Sequence, residues 1–199
     1  MFTGIIETVG ELVNAVDEGG NRHLEISSSI ASELKVDQSV SHNGVCLTVT
    51  EVLGDTYRVT AVQETLKRSN LGALASTSKI NLERCMPANG RFDGHIVQGH
   101  VDLTATCTDI KDQAGSWLFR FSYTPTSNNQ LLVEKGSVTI NGVSLTCFDI
   151  TDSSFAVAII PYTYQHTNFS QLQIGDTVNL EFDIVGKYIS RMLQSQLGK

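Results

Sequence analysis

The chain repeats itself, and that fact constrains its fold more than any other. Asn43-Gly44-Val45-Cys46-Leu47-Thr48-Val49 recurs as Asn141-Gly142-Val143-Ser144-Leu145-Thr146-Cys147, a shift of 98 positions. The same shift superimposes Thr65, Asn70 and Asn81-Leu82-Glu83 on Thr163, Asn168 and Asn179-Leu180-Glu181. Chance does not hold register over some forty residues, so one architecture is used twice. Near the start of each copy the offset becomes 95, pairing Thr3-Gly4-Ile5-Ile6-Glu7 with Gln98-Gly99-His100-Val101-Asp102; the second copy has gained about three residues in between. The boundary falls near Gly94, giving a first domain over 1–94, a second over 95–183 and a C-terminal segment over 184–199.

Within each copy the pattern is of strands. Val45, Leu47 and Val49 alternate with Cys46, Thr48 and Thr50, and period two gives one apolar and one polar face. Gly54-Asp55 turns the chain into another β-branched stretch, Thr56 to Gln63, which reads as a hairpin; Asp152-Ser153-Ser154 makes the equivalent turn. With Gly4 to Ala15, His23 to Ser27, Gln38 to His42 and Lys79 to Arg84 there are about six strands per copy, the number for a small closed or nearly closed barrel. A short helix is expected at Ser29 to Leu34 and another turn of helix after Glu64. Ile184, Tyr188, Ile189, Met192, Leu193 and Leu197 then lie at helical spacing, an apolar stripe with no counterpart after the first copy. It packs on its own barrel or pairs with the same helix of other subunits; a helix beyond the last strand of a completed barrel favours the second.

Composition removes several classes of function. A net charge of −7, with no run of Lys or Arg, offers no footprint for phosphates, so nucleic acid is not an expected partner. No apolar run is long enough to cross a bilayer, and the N-terminus lacks a basic leader, an apolar core and a small-residue cleavage site, so a cytoplasmic location is expected. Cys46, Cys85, Cys107 and Cys147 are spread with no C-x-x-C pair and read as reduced thiols, without a zinc or redox motif.

The residues able to do chemistry are mild. Cys46 and Thr48 lie on the polar strand face and match Ser144 and Thr146. A lone strand Cys is ordinarily a small buried hydrophobe, but Ser at the matching position points to a hydrogen-bonding setting. Gly94-His95-Ile96-Val97-Gln98-Gly99-His100-Val101-Asp102 is the densest polar cluster. Its two histidines are five apart, on opposite faces of a strand, which argues against a metal site. A histidine's ordinary pKa of ~6.5 suits proton shuttling, and neighbouring glycines let a ligand approach the backbone, although a structural role is the commoner fate of such residues. Lys135 reads as a solvated loop residue, and Asn43 and Asn141, each before Gly, as turn residues. Phosphate-loop, Rossmann, Ser-His-Asp and zinc-protease patterns are absent from the sequence. The residues alone lead to two related barrels with two related pockets.

Taken together and in order, the motifs resemble the riboflavin synthase family. They are Met1-Phe2-Thr3-Gly4, NGVCLTV at Asn43 to Val49, ETL at Glu64 to Leu66, NLG at Asn70 to Gly72, and GHIVQGHVD at Gly94 to Asp102. KG at Lys135-Gly136, NGVSLT at Asn141 to Thr146, IP at Ile160-Pro161 and NLEFD at Asn179 to Asp183 complete the set. The resemblance implies an all-β fold of two tandem six-stranded Greek-key barrels with a C-terminal helix, assembled as a homotrimer. It implies one 6,7-dimethyl-8-ribityllumazine per barrel, an active site joining the first barrel of one subunit to the second barrel of its neighbour, and no metal or cofactor. One substrate molecule would give a four-carbon unit to the other, yielding riboflavin and a diaminopyrimidine. A lumazine synthase shell is a further partner that the resemblance allows.

Carried over by position, the first pocket would be lined by Gly4, Ile5, Ile6, Cys46, Leu47, Thr48, Thr60, Ala61, Val62, Gln63, Glu64 and Thr65. The second would use Gly99, His100, Val101, Lys135, Ser144, Leu145, Thr146, Ala158, Ile159, Ile160, Pro161, Tyr162 and Thr163. The resemblance assigns His100 as proton shuttle, Cys46 and Ser39 near the reacting methyl groups, and Lys135, Asn141 and Asp183 as assistants from the second copy. Asn141 departs from a common family variant with Asp there, which argues against an essential base at that position. Tyr162 and Tyr164 are less typical, with small effects on ligand fit expected. Three rivals stand beside this reading: a noncatalytic lumazine or flavin carrier of the same fold, a flavin reductase, and an oligonucleotide-binding barrel. The intact GHIVQGHVD and Lys135 favour the enzyme over the carrier, and no nucleotide-binding domain or flavin motif supports the reductase. Acidity with few aromatics counts against the third.

Overall fold

The computed structural model of the chain describes residues 1–127 and 130–197, the side chain of Leu197 excepted. The first copy forms β1 (Thr8–Glu18), β2 (Asn21–Ser27), β3 (Ser39–His42), β4 (Val45–Leu53), β5 (Thr56–Ala61), a short helix α1 (Gln63–Arg68) and β6 (Lys79–Arg84). These strands close into an antiparallel barrel in the order β1-β2-β5-β4-β3-β6. The second copy forms β7 (Leu103–Asp112), β8 (Trp117–Ser122), β9 (Ser137–Ile140), β10 (Val143–Phe148), β11 (Ser154–Ile159), α2 (Pro161–His166) and β12 (Thr177–Phe182), and closes in the same cyclic order. A helix α3 (Ile184–Leu197) follows. Among the described residues no helix is long and apolar enough to cross a membrane.

The alternation along β4 appears as expected, with Val45, Leu47 and Val49 buried, Thr48 and Thr50 exposed and Cys46 between. Register shifts between Leu12 and Asn14 and between Val49 and Glu51 bend the strands toward closure, as does the shift between Cys107 and Asp109 in the second barrel. The first core is mainly aliphatic, around Leu12, Leu24, Ile26, Val59 and Leu82, whereas the second adds a cluster of aromatic rings to its aliphatic side chains. There Phe169 stands edge-on to Phe119 and Phe121, with centroids at 5.2 and 6.4 Å. Each such buried side chain stabilises the fold by ~1.5–3 kcal/mol. The helix expected at Ser29 to Leu34 is one 3-10 turn over Ala31–Glu33, because Leu34 is already extended at φ −75°, ψ 159°.

The first strand begins at Thr8 rather than Gly4, because the chain before it leaves its own barrel. Phe2 and Val97 exchange N–H···O bonds of 2.8 and 3.1 Å, pairing the leading segments of the two copies across the molecule. Beyond that bridge the segments diverge. The Ser144 amide donates to the Gly4 carbonyl at 2.8 Å, and Ile6 packs on the second core. Symmetrically, the Cys46 amide donates to the Gly99 carbonyl at 2.8 Å, and Val101 packs on the first core. Each barrel therefore carries the leading segment of the other copy.

A lattice of asparagines seals the seam. Asn81 Nδ2 donates to the Asn141 carbonyl at 2.9 Å and Asn179 Nδ2 to the Asn43 carbonyl at 2.8 Å. The Asn70 amide donates to Asn179 Oδ1 and the Asn168 amide to Asn81 Oδ1, at 2.6 and 2.8 Å. Gly44 and Gly142 meet at its centre; a Cβ on Gly44 would lie 2.8 Å from the Gly142 nitrogen. Asn43 and Asn141 do occupy turns, at φ +48° and +45°, but their side chains also bind across the seam.

Most of the apolar stripe of helix α3 is not folded onto its own barrel: Tyr188, Ile189, Met192 and Leu193 are exposed, as is the neighbouring Val185, while Ile184 is half-buried. It is tethered by Lys187 Nζ, 2.6 Å from Asp102 Oδ2. Between it and Leu131, Val133, Gly136 and Ser137 runs an apolar groove of about 440 Å³. The stripe position Leu197 lies outside the described side chains.

His42 on β3 is fully buried, with Nε2 2.8 Å from the Tyr57 hydroxyl, and burial pushes its pKa down to about 4. The unfolded chain takes up a proton near pH 6.5 that the folded chain refuses until about pH 4. Stability from this residue is thus intact above pH 6.5 and falls on acidification through that window, by about 3 kcal/mol in all. Urea unfolding of His42→Gln between pH 6.5 and 4 is expected to lose stability less steeply than the native chain, by about 1.4 kcal/mol per pH unit. Equal slopes would contradict the assignment.

Candidate functional site

On the first barrel a cavity of about 200 Å³ is lined by β4, α1 and the crossing segment. Strand β4 contributes Cys46 from its outer face, and α1 contributes Glu64, Thr65 and Arg68. The crossing segment contributes Gly99, His100 and Val101. Burial pushes the Cys46 thiol up, opposed by its hydrogen bond to Ser39, so the thiol stays protonated near neutral pH. Gly99, at φ +79°, lies so close that a Cβ there would sit 2.7 Å from Cys46 Cβ. Arg68 Nε pairs with Glu64 Oε1 at 2.5 Å on the rim, and the His100 ring is exposed beside them. This pocket presents a thiol, two hydroxyl-bearing side chains, an ion pair and an imidazole.

The equivalent surface of the second barrel has the same frame and different chemistry. Ser144 takes the place of Cys46, and its Oγ lies 2.6 Å from His95 Nδ1. The other ring nitrogen of His95 is 3.1 Å from Thr139 Oγ1. Burial lowers the His95 pKa, against the pull of Asp183, leaving a neutral ring with one donor and one acceptor nitrogen. One of the two hydroxyls must therefore donate and the other accept. Ile5 stands where His100 stands in the first pocket, and the Glu64–Arg68 pair is replaced by Tyr162 and His166, stacked with centroids at 4.1 Å. Tyr164 turns away to stack on Trp117 at 3.8 Å.

The grouping of residues expected from sequence is corrected here. Gly4, Ile5 and Ile6 belong with Ser144, while Gly99, His100 and Val101 belong with Cys46, because the two leading segments exchange barrels. His100, Cys46 and Ser39 come together at the first barrel. Lys135 stands apart on the turn into β9, at φ +64°, with Nζ 5.0 Å over the Phe148 ring. Asp183 accepts the Val185 amide at 2.9 Å at the start of α3 and lines the groove beside Ser137. Asn141 enters neither cluster: it is buried, and its Oδ1 is taken by the Asn179 amide at 2.8 Å.

Among the binding candidates, Leu47, Ala61 and Ile159 point into the cores, so only their backbone faces outward. Thr48 and Thr146 are exposed on the outer strand faces, and Leu145 packs against the second core. Thr60 Oγ1 is 3.0 Å from His23 Nδ1. Val62, Gln63, Ala158, Ile160 and Pro161 are exposed where the fifth strand of each barrel meets its helix, with Thr163 half-buried there. Arg68 and Ser69 join the site without a reading of their own in the sequence, and His95 joins it from the two-histidine cluster for which a structural role is the commoner fate. Arg68, four residues after Glu64, carried a helical pairing signal, whereas His95 carried none beyond its place in GHIVQGHVD. Among the described residues no group of three or more His, Cys, Asp or Glu is placed to hold a metal ion.

Residues 3–85 and 98–183 each match the lumazine binding domain family, which sets the class: duplicated barrels built around that domain. The chain is 44% identical to riboflavin synthase of Actinobacillus pleuropneumoniae and 42% identical to that of Bacillus subtilis. Both alignments run over 194 residues and cover 97% of this chain and 90% of the relative. Against riboflavin synthase of Saccharomyces cerevisiae the identity is 36% over 215 residues, covering 100% of this chain and 90% of the relative. The chain belongs to this family of riboflavin synthases. Crystal structures of LumP complexed with 6,7-dimethyl-8-(1'-D-ribityl) lumazine and with riboflavin share its fold. Each superposes with a TM-score of 0.83, at 21% and 23% identity, covering 92% and 91% of this chain and 99% and 98% of those chains.

Gly99→Ala puts a methyl group into both a left-handed backbone and the Cys46 side chain. Strain and overpacking together should cost about 2–4 kcal/mol in urea unfolding. A loss under about 0.5 kcal/mol, the range of an ordinary surface substitution, would show that the segment does not rest on Cys46 as described.

Proposed function

We propose that the chain catalyses the dismutation of two molecules of 6,7-dimethyl-8-ribityllumazine, giving riboflavin and 5-amino-6-ribitylamino-pyrimidinedione. The observation that carries this reading is a pocket on the first barrel and a like-framed but chemically unequal surface on the second, in a chain 44% identical to a riboflavin synthase. Two copies of one molecule need two similar seats, and a transfer between them needs seats of different chemistry. Both donor and acceptor of the four-carbon unit are substrate, so the reaction calls for no metal or external cofactor.

The C7 methyl of the substrate is acidic because its carbanion delocalises into an electron-poor ring, and an ordinary imidazole is base enough for it. His100 takes that role, with Cys46 and Ser39 as hydrogen-bonding neighbours and Glu64, Arg68 and Thr65 available to the ribityl hydroxyls. Ser144 and His95 face the second molecule, and Lys135 and Asp183 assist from the same barrel. Much of the acceleration comes from holding the reactants stacked, for which orientation can supply up to roughly 7–11 kcal/mol.

The unit that juxtaposes the pockets is a homotrimer, the first barrel of one subunit meeting the second barrel of the next. The open apolar face of α3 and the groove beside it support this assembly. The four free cysteines fit a reducing cytoplasm. A carrier that binds lumazine without turning it over is the second reading, favoured by the fold shared with LumP.

Purified protein incubated with the ribityllumazine should develop riboflavin fluorescence, and tight binding without turnover would select the carrier. His100→Gln should lower kcat about 10²-fold, the lower range for loss of a general base, with substrate still bound. Ending the chain at Asp183 should yield monomers of greatly reduced activity; a truncated chain that still sediments as a trimer removes α3 from the assembly.

A further inference from the structure

Two carboxylates, Glu83 on β6 and Glu181 on β12, are buried to 4% and 2% exposure, and neither faces a pocket cavity. Glu181 accepts the backbone N–H groups of Gln98, Gly99 and His100 at 2.7, 3.0 and 2.9 Å. Glu83 accepts the N–H of Thr3, its hydroxyl, and the N–H of Gly4, at 2.6, 2.8 and 3.0 Å. Among the described residues no ion pair reaches either carboxylate; Lys187, the cation nearest in influence to Glu181, is bonded to Asp102. A buried charge with no ionic partner is costly, and an apolar side chain would close a barrel strand as well. What a carboxylate does that an apolar group cannot is gather several converging N–H donors on one segment, each bond strengthened by the charge.

We propose that Glu181 and Glu83 are positioning residues, each holding in place the segment that completes the other barrel's pocket. Glu181 belongs to the second barrel, yet the backbone it grips carries His100 over Cys46 on the first. Glu83 belongs to the first barrel and holds Gly4 and Ile5 over Ser144 on the second. A second clasp runs the opposite way in each half: the Phe182 amide donates to Asp102 Oδ2 at 2.9 Å, and the Arg84 amide donates to Glu7 Oε1 at 3.0 Å. The left-handed Gly99 and Gly4, both at φ +79°, let successive N–H groups turn toward one carboxylate. The catalytic part of this inference rests on the reading of the pockets as lumazine seats; the geometric part does not.

The test uses the full-length protein. Glu181→Gln keeps size and shape but turns one acceptor oxygen into a donor facing N–H groups. It should raise the iodoacetamide labelling rate of Cys46, read peptide by peptide by mass spectrometry, by about tenfold, the scale of a lost charge-assisted bond. Glu83→Gln, equally buried, should leave that rate near the native value, and equal acceleration by both variants overturns the proposal. Glu181→Gln should lower kcat about tenfold with little change in KM. Because it acts through His100, the Glu181→Gln, His100→Gln double variant should be no slower than His100→Gln alone; multiplied losses overturn it. Should Glu181→Gln fail to fold, hydrogen exchange of the native chain decides. The Gln98, Gly99 and His100 amides should be protected to the level of the barrel strands, and fast exchange there overturns the proposal. Absence of turnover in the native protein would defeat the lumazine reading while leaving the labelling and exchange results to stand.

Discussion

The structure depends on amide groups that find their partners across the seam between the copies. Asn81 and Asn179 each extend a side chain to a backbone carbonyl of the opposite copy, and Asn70 and Asn168 donate their own N–H groups to those same side chains. A buried carboxamide left unpaired costs about 1–3 kcal/mol, so these bonds hold one register, although Asn70 Oδ1 is itself buried without a partner. Gly44 against Gly142 sets the closest approach, since any side chain at either position would collide with the other backbone. A purely apolar seam would have tolerated sliding. This one fixes the two barrels, and with them the exchanged segments, to hydrogen-bond precision.

Within that frame the two pockets differ because a few positions were changed and the frame was not. The strand position holds thiol or hydroxyl, Cys46 or Ser144; the crossing position holds imidazole or alkyl, His100 or Ile5; the rim holds an ion pair or an aromatic stack. Ser144 gains in His95 a partner of a kind that Cys46 lacks, its thiol being bonded instead to Ser39. The barrel cores diverge as well, the second carrying far more aromatic side chains than the first, without altering strand order. Core volume is tolerant of such replacement provided that the patterning of inward positions is kept.

Much of this was legible in the sequence, and the part that was not has a common physical cause. Alternation such as that of Val45 to Thr50 depends on neighbours two residues away, and the repeat made each copy a check on the other, so strands and barrels could be read. The family resemblance named Cys46, His100 and Ser39, which do come together. The exchange of leading segments could not be read, because Gly4 to Glu7 has the same local pattern whether it joins its own barrel or the other. Glu181 looked like an ordinary strand glutamate, its partners lying more than eighty residues away. Asn141 showed only its turn-forming side in the sequence; its bond to Asn179 joins residues 38 apart, and the approach of Asn70 joins residues 71 apart.

The exchanged segments also change how sequence variation in this chain is to be interpreted. A lesion at Gly4, in the first copy by sequence, belongs functionally with Ser144 in the distal half of the gene product. A lesion at Gly99 belongs with Cys46 in the proximal half. Sorting variants by domain would assign both to the wrong pocket, and compensating changes are to be sought in the opposite copy, far away along the chain but in contact in space.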